Sequence, residues 1–128
     1  MESLKRRAAF KAVAGGRRVT RPGFVLQALK PGEIDEKTAG RPPRFGFTVT
    51  KKIGNAVVRN RIRRRLREAV RRAEPGAEAA TDYVLVARRA ALTLQFERLV
   101  TDLTNGFEVL SHQSDKPRTA APGSIDAR

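Results

Sequence analysis

Asn55-Ala56-Val57-Val58-Arg59-Asn60-Arg61-Ile62-Arg63-Arg64-Arg65-Leu66-Arg67-Glu68-Ala69-Val70-Arg71-Arg72-Ala73, followed by Glu74-Pro75-Gly76, is the stretch on which the fold turns. Wound at about 100° per residue, Val58, Ile62, Leu66, Ala69, Val70 and Ala73 gather into one apolar arc, and the arginines take the rest of the circumference. The spacing predicts a helix over 56–73 that docks on a sheet by one side and presents cations on the other. Asn55 is the predicted N-cap, and Glu74-Pro75-Gly76 is the breaker. With Lys51 and Lys52 just upstream, this region carries ten positive residues against Glu68 alone, a local charge of +9 out of +14 for the whole chain.

Upstream of the helix, Arg44 to Thr50 alternates as a strand, with Phe45, Phe47 and Val49 toward the core and Gly46, Thr48 and Thr50 on the opposite side. The stretch 30–43 holds Pro, Gly and the acids Glu33, Asp35 and Glu36, and is predicted to be an exposed connector. Val19 to Leu29 is a strand pair or one bent strand, in which Phe24, Leu26 and Ala28 point one way and Val25, Gln27 and Leu29 the other. Lys5 to Val13 reads as a short amphipathic helix that stops at Gly15-Gly16.

Downstream, Tyr83-Val84-Leu85-Val86-Ala87 is uniformly apolar, as in a strand covered on both faces. Phe96, Leu99, Val100, Leu103, Phe107 and Leu110 recur at helical spacing, with Thr93 as the candidate cap and Asn105-Gly106 expected to weaken the final turns. Residues 111–128 lose the core-forming types and are predicted to be a disordered tail. The pattern is αβββαβα, an α+β sandwich of one central sheet with helices, in a single domain over residues 1–110.

The 128 residues suffice for one modest core, and 27 Lys and Arg against 13 Asp and Glu point to a polyanionic partner. The absence of Cys excludes disulfides and thiolate metal sites and fits a reducing cytoplasm. No run of about 20 apolar residues exists, so membrane insertion is not expected. Arginine rather than lysine dominates the helix; its planar guanidinium forms paired hydrogen bonds to phosphate and stacks on bases. Eight crowded arginines repel one another, and phosphates relieve that repulsion while releasing counterions, so RNA is the expected ligand and binding should be salt-sensitive. A localisation-type basic run, a membrane-surface helix and a DNA-groove helix are the alternatives. The apolar arc argues against the first, and the lack of a Trp-, Phe- or Leu-rich face against the second.

The run Phe47-Thr48-Val49-Thr50-Lys51-Lys52-Ile53-Gly54-Asn55-Ala56-Val57-Val58-Arg59-Asn60-Arg61 resembles the signature of the bacterial ribonuclease P protein family, an Arg-Asn-Arg element after Lys-Lys-x-Gly-Asn-Ala-Val. The resemblance runs from Leu4 to about Leu110. It implies the αβββαβα fold with a left-handed βαβ crossover around the arginine helix, a handedness that periodicity does not reveal. It also implies a catalytic RNA subunit as partner, precursor tRNA as substrate, removal of the 5′ leader as the reaction, and Mg²⁺ held by the RNA subunit rather than by the protein.

Candidate sites follow from both readings. Lys51, Lys52, Asn55, Arg59, Asn60, Arg61, Arg63, Arg64 and Arg67 form the expected seat for folded RNA, where the Asn60 amide both donates and accepts. Val25, Gln27, Thr48 and Thr50 on the open sheet face, beside Phe10 on the first helix, are implied by the resemblance to line a cleft for the single-stranded leader; Phe10 is equally readable as plain core. Gln27 stands where many relatives carry Tyr, and Ala14 where a second aromatic is frequent. No catalytic or metal-ligating set is expected in the protein, because the acids are scattered and His112 is the sole histidine. A ribosomal RNA-binding protein and a free-standing nuclease are the rival readings.

Overall fold

The computed structural model describes residues 1–30 and 40–112. Five strands form one mixed sheet, β1 (Glu2–Ser3), β2 (Arg17–Thr20), β3 (Phe24–Leu29), β4 (Arg44–Thr48) and β5 (Asp82–Ala87), in the spatial order β1-β4-β5-β3-β2. Helix α1 (Arg7–Ala14) lies on one face, while α2 (Ala56–Ala73) and α3 (Phe96–Ser111) cover the other. The expected α+β order is present, with the two-residue strand β1 added in front. So short a strand has no periodicity to detect, and it exists because it pairs in parallel with β4, Glu2 opposite Arg44 and Ser3 opposite Phe45.

That pairing also moves the start of the first helix. Leu4 is buried and its N–H donates to the Phe45 carbonyl at 2.8 Å, so the chain stays extended through Arg6 and α1 begins at Arg7 rather than Lys5. The stretch read as a strand pair or one bent strand is a hairpin. Arg21 and Phe24 exchange backbone hydrogen bonds across Pro22-Gly23, and β2 and β3 run antiparallel with Thr20 opposite Val25.

Phe24, Leu26, Ala28, Phe45, Tyr83 and Leu85 form the sheet's contribution to the main core, against Ile62, Leu66 and Val70 of α2 and Leu99, Leu103 and Phe107 of α3. The predicted arc of α2 is therefore the buried one. The helix is capped as expected, Asn55 Oδ1 accepting from the Val58 N–H at 3.0 Å. Between the parallel strands β4 and β5 it forms a βαβ unit, tied at the start of both strands by buried Asp82. Asp82 accepts two 2.8 Å hydrogen bonds from Arg44 and a longer one, 3.4 Å, from Arg41. Donating these hydrogen bonds to the Asp82 carboxylate raises the Arg44 pKa above the ordinary arginine value.

Four expectations need correction. Strand β4 ends at Thr48, so Thr50 is an exposed loop residue before a short 3-10 turn and has no place on the sheet face. Thr93 does not cap α3; a 3-10 turn over Arg89–Leu92 occupies that segment, and the helix starts after Gln95 without a side-chain cap. Asn105-Gly106 does not end the helix, which continues to Ser111. A Cβ at Gly106 would come within 2.9 Å of Leu26 Cδ2, so the glycine lets α3 lie close against β3, and burial there outweighs its low helix propensity. Finally, the end of the expected connector is fastened, with Pro43 buried and the Arg41 carbonyl accepting from Ala80 N–H at 2.7 Å. Glu33, Asp35 and Glu36, and the tail beyond His112, lie outside the described residues.

Tyr83 provides a pH test of this core. Burial pushes its phenol up to about 12, although its oxygen accepts a 2.9 Å hydrogen bond from the Glu78 N–H. A raised folded-state value means that the unfolded chain loses its proton first, so stability is intact below pH 10 and falls as pH rises toward 12. Relative to Tyr83→Phe, the parent should lose roughly 2–3 kcal/mol between those limits, at about 1.4 kcal/mol for each pH step of one. Parallel pH dependences in urea unfolding of the two proteins would contradict the burial of this phenol.

Candidate nucleic-acid interface

Because the apolar arc of α2 is consumed by the core, its arginines are sorted by geometry into those that hold the protein together and those left facing outward. Arg65 is structural. Its guanidinium donates to the carbonyls of Ala91 and Leu92 at 2.9 and 2.8 Å and to that of Leu94, fastening the turn between β5 and α3 onto α2. Arg72 sits 5.7 Å from the Phe96 ring centre and pairs with Glu97, while Arg71 pairs with Glu68. Arg59 is half-buried and donates from Nε to the Gly54 carbonyl at 3.2 Å.

Arg61 and Arg64 are exposed, and among the described residues neither has a hydrogen-bond or acidic partner. With Asn60 and Val57 they line a shallow groove of about 270 Å³. Asn60 accepts from Arg63 at 3.1 Å, which leaves its amide N–H groups for another acceptor. Lys51 and Lys52 are exposed on the 3-10 turn that leads into the helix, where the unpaired N–H groups of the first turn add partial positive charge. Asn55 is occupied as the cap on the same end. The sequence-predicted cationic set thus lies along one helix and its entry. Missed by pattern was Val57, an apolar residue 73% exposed among arginines; its position off the apolar arc was the available signal.

The second predicted surface is smaller than expected. On the α1 side of the sheet, register aligns one row as Arg18, Gln27, Val84 and Gly46, and the next as Thr20, Val25, Val86 and Thr48. Helix α1 covers the first row: Val13 and Val84 are buried together, and Gln27 is only 8% exposed, so it is not an open-face residue. Val25, Val86 and Thr48 in the second row remain half-exposed. Phe10 is half-buried over Gly46, where an added Cβ would lie 2.4 Å from the ring; only glycine leaves the ring that seat. Phe10 packs against the buried Leu4, Val13 and Val84 and also borders an opening, so it is not a fully buried core residue.

That opening is a depression of about 180 Å³ at the β4 edge, walled by Phe10, Phe47, Arg63 and Arg67, with Ser3 and Leu4 on its rim. The Arg67 guanidinium lies 5.7 Å from the Phe47 ring centre, so Phe47, expected in the core, is half-buried beneath a cation. An aromatic wall beside two guanidinium groups can hold an unstacked base and its phosphate together. Among the described residues no group of three or more His, Cys, Asp or Glu is placed to hold a metal ion. No helix there is long and apolar enough to cross a membrane.

The ribonuclease P family model matches residues 1–111. The chain belongs to the ribonuclease P protein family. The ribonuclease P protein component of Gluconacetobacter diazotrophicus is 54% identical over 104 residues, covering 78% of this chain and 83% of the relative. That of Brucella suis is 46% identical over 125 residues, covering 93% and 88%. The RNase P protein of Staphylococcus aureus superposes with a TM-score of 0.66 at 28% identity, covering 85% of this chain and 94% of that one. Both curated relatives bear the name ribonuclease P protein component.

The division of labour on α2 has a direct test. Arg65→Ala should cost about 2–3 kcal/mol of stability, because charged hydrogen bonds to three loop carbonyls are lost together. RNA affinity per folded molecule should be unchanged. A variant of parental stability with impaired RNA binding would transfer Arg65 to the interface.

Proposed function

We propose that the chain is the RNA-binding protein subunit of a ribonuclease P holoenzyme that removes the 5′ leader of precursor tRNA in the cytoplasm. The observation that carries this reading is the outward, unpartnered set Arg61 and Arg64, continued by Arg63 and Arg67 to a half-open aromatic wall at Phe10 and Phe47. The outer face of α2, with Lys51 and Lys52, docks on the catalytic RNA. The depression at Phe10 and the half-exposed row of Val25, Val86 and Thr48 receive the leader.

The protein's work is binding and placement. Cations neutralise phosphates that would otherwise repel, and a held leader fixes the scissile bond against the catalytic RNA. Mg²⁺ and the attacking water belong to the RNA subunit in this reading; the described residues supply no group of three or more acids or histidines placed to hold a metal ion. A ribosomal RNA-binding role is the alternative, and it leaves the half-open aromatic depression beside α1 without a purpose.

Reconstitution tests the proposal. The purified protein alone should leave precursor tRNA intact, and its addition to the catalytic RNA should promote cleavage at low Mg²⁺. Metal-dependent cleavage by RNA-free protein would overturn it. So would co-sedimentation with ribosomal subunits without any effect on tRNA processing.

A further inference from the structure

A second cationic concavity lies at the opposite side of β1 from the arginine helix. It encloses about 410 Å³ and is lined by Ser3, Leu4, Lys5, Arg6, Ala9 and Arg44. Ser3 and Leu4 also line the depression at Phe10, so the two hollows are neighbours along β1, one bordered by Arg63 and Arg67 and the other by Lys5 and Arg6.

The backbone beneath this concavity is fixed. Leu4 is buried and bonded to Phe45, and the Arg6 carbonyl accepts from Ala9 and Phe10 at the start of α1. Arg44 is held in place by its two hydrogen bonds to Asp82. Lys5 and Arg6, by contrast, are exposed and have no acidic partner among the described residues. Glu2 and Asp82 are the acids beside Arg44, and Arg41 on Asp82 offsets one of them. A preformed hollow with a hydroxyl, two unpartnered cations and a clamped third suits a phosphodiester. It lacks any aromatic lining, so it suits the backbone of a strand better than a base.

We propose that Lys5, Arg6 and Arg44 form a distal phosphate site that holds the backbone of the leader beyond the nucleotides at Phe10. This rests on the reading of the chain as a leader-binding subunit. The strand then crosses the sheet edge from Arg63 and Arg67, past Phe10, to the start of α1. A short leader ends before reaching the distal site.

The test uses the holoenzyme assembled with the catalytic RNA and either the parent protein or the double variant Lys5→Ala/Arg6→Ala. Both side chains are exposed, so the variant should fold as the parent does, which circular dichroism checks; Arg44 is left intact because its loss would strand buried Asp82. Three substrates are compared: precursor tRNA with a long leader, the same with a leader of one nucleotide, and mature tRNA. The variant should bind the long-leader substrate about five- to thirtyfold more weakly and the other two as the parent does. Its salt dependence for the long leader should be shallower by about 1.4 in log K against log salt, the share of two single-strand phosphate contacts. Equal weakening for all three substrates would overturn the site by assigning these cations to the catalytic RNA or to a general field. Unchanged long-leader binding, where the parent discriminates leader length, would overturn the distal site alone. A parent that binds precursor and mature tRNA equally would overturn leader recognition itself.

Discussion

Arg61→Ala combined with Arg64→Ala is expected to weaken assembly with the catalytic RNA by about 2–6 kcal/mol, from roughly 1–3 kcal/mol for each charge-assisted contact. Neither side chain is used inside the protein, so nothing in the fold resists their removal. Stability should stay within about 0.5 kcal/mol of the parent, or rise slightly as like-charge repulsion along α2 falls. The slope of log K against log salt should also flatten by about 1.4 to 1.8, the share of two phosphate contacts on single or double strands. Filter binding or calorimetry across a salt series, beside urea unfolding, gives both readings. Parental affinity at every salt concentration would remove the outer face of α2 from the interface.

Phe107→Ala should have the largest effect on stability, a loss of about 3–5 kcal/mol. Its ring is wholly buried, meets Tyr83 edge-on at 4.9 Å and lies tilted against Phe45 at 6.1 Å. Phe45 and Tyr83 are themselves stacked at 5.4 Å and belong to the paired strands β4 and β5. Truncation therefore opens a cavity between α3 and the centre of the sheet. A loss below about 1 kcal/mol in chemical denaturation would mean that this cluster is not packed as described.

Legibility in the sequence followed signal length. Eighteen residues of α2, with a cap, a breaker and a continuous apolar arc, were readable to their ends. The uniformly apolar β5 was readable because a strand between two covered faces has no polar alternation. The two residues of β1, the start of α3 and the end of β4 were not, since each depends on a partner distant in sequence. For the site, the arginine helix was visible as a set, but which arginines are spent was not. Arg65 and Arg61 have the same composition and nearly the same neighbours. They differ only in what the fold brings beside them, three loop carbonyls in one case and solvent in the other.

By itself the amino-acid sequence determined the polyanionic class of partner, the α+β order, the docking arc of α2 and, through the Lys-Lys-Ile-Gly-Asn-Ala-Val and Arg-Asn-Arg elements, the family. These are properties of local periodicity, charge density and motif spacing, all carried within one stretch of chain. Tertiary structure alone decided that Gln27 is covered, that Thr50 is off the sheet, that Phe10 sits over Gly46 and that two hollows share Ser3 and Leu4 of β1 and its exit as lining. Each of these depends on where α1 and β1 land on the sheet. That placement is set by Leu4 and Val13 packing against residues that are remote in sequence, which no local pattern records.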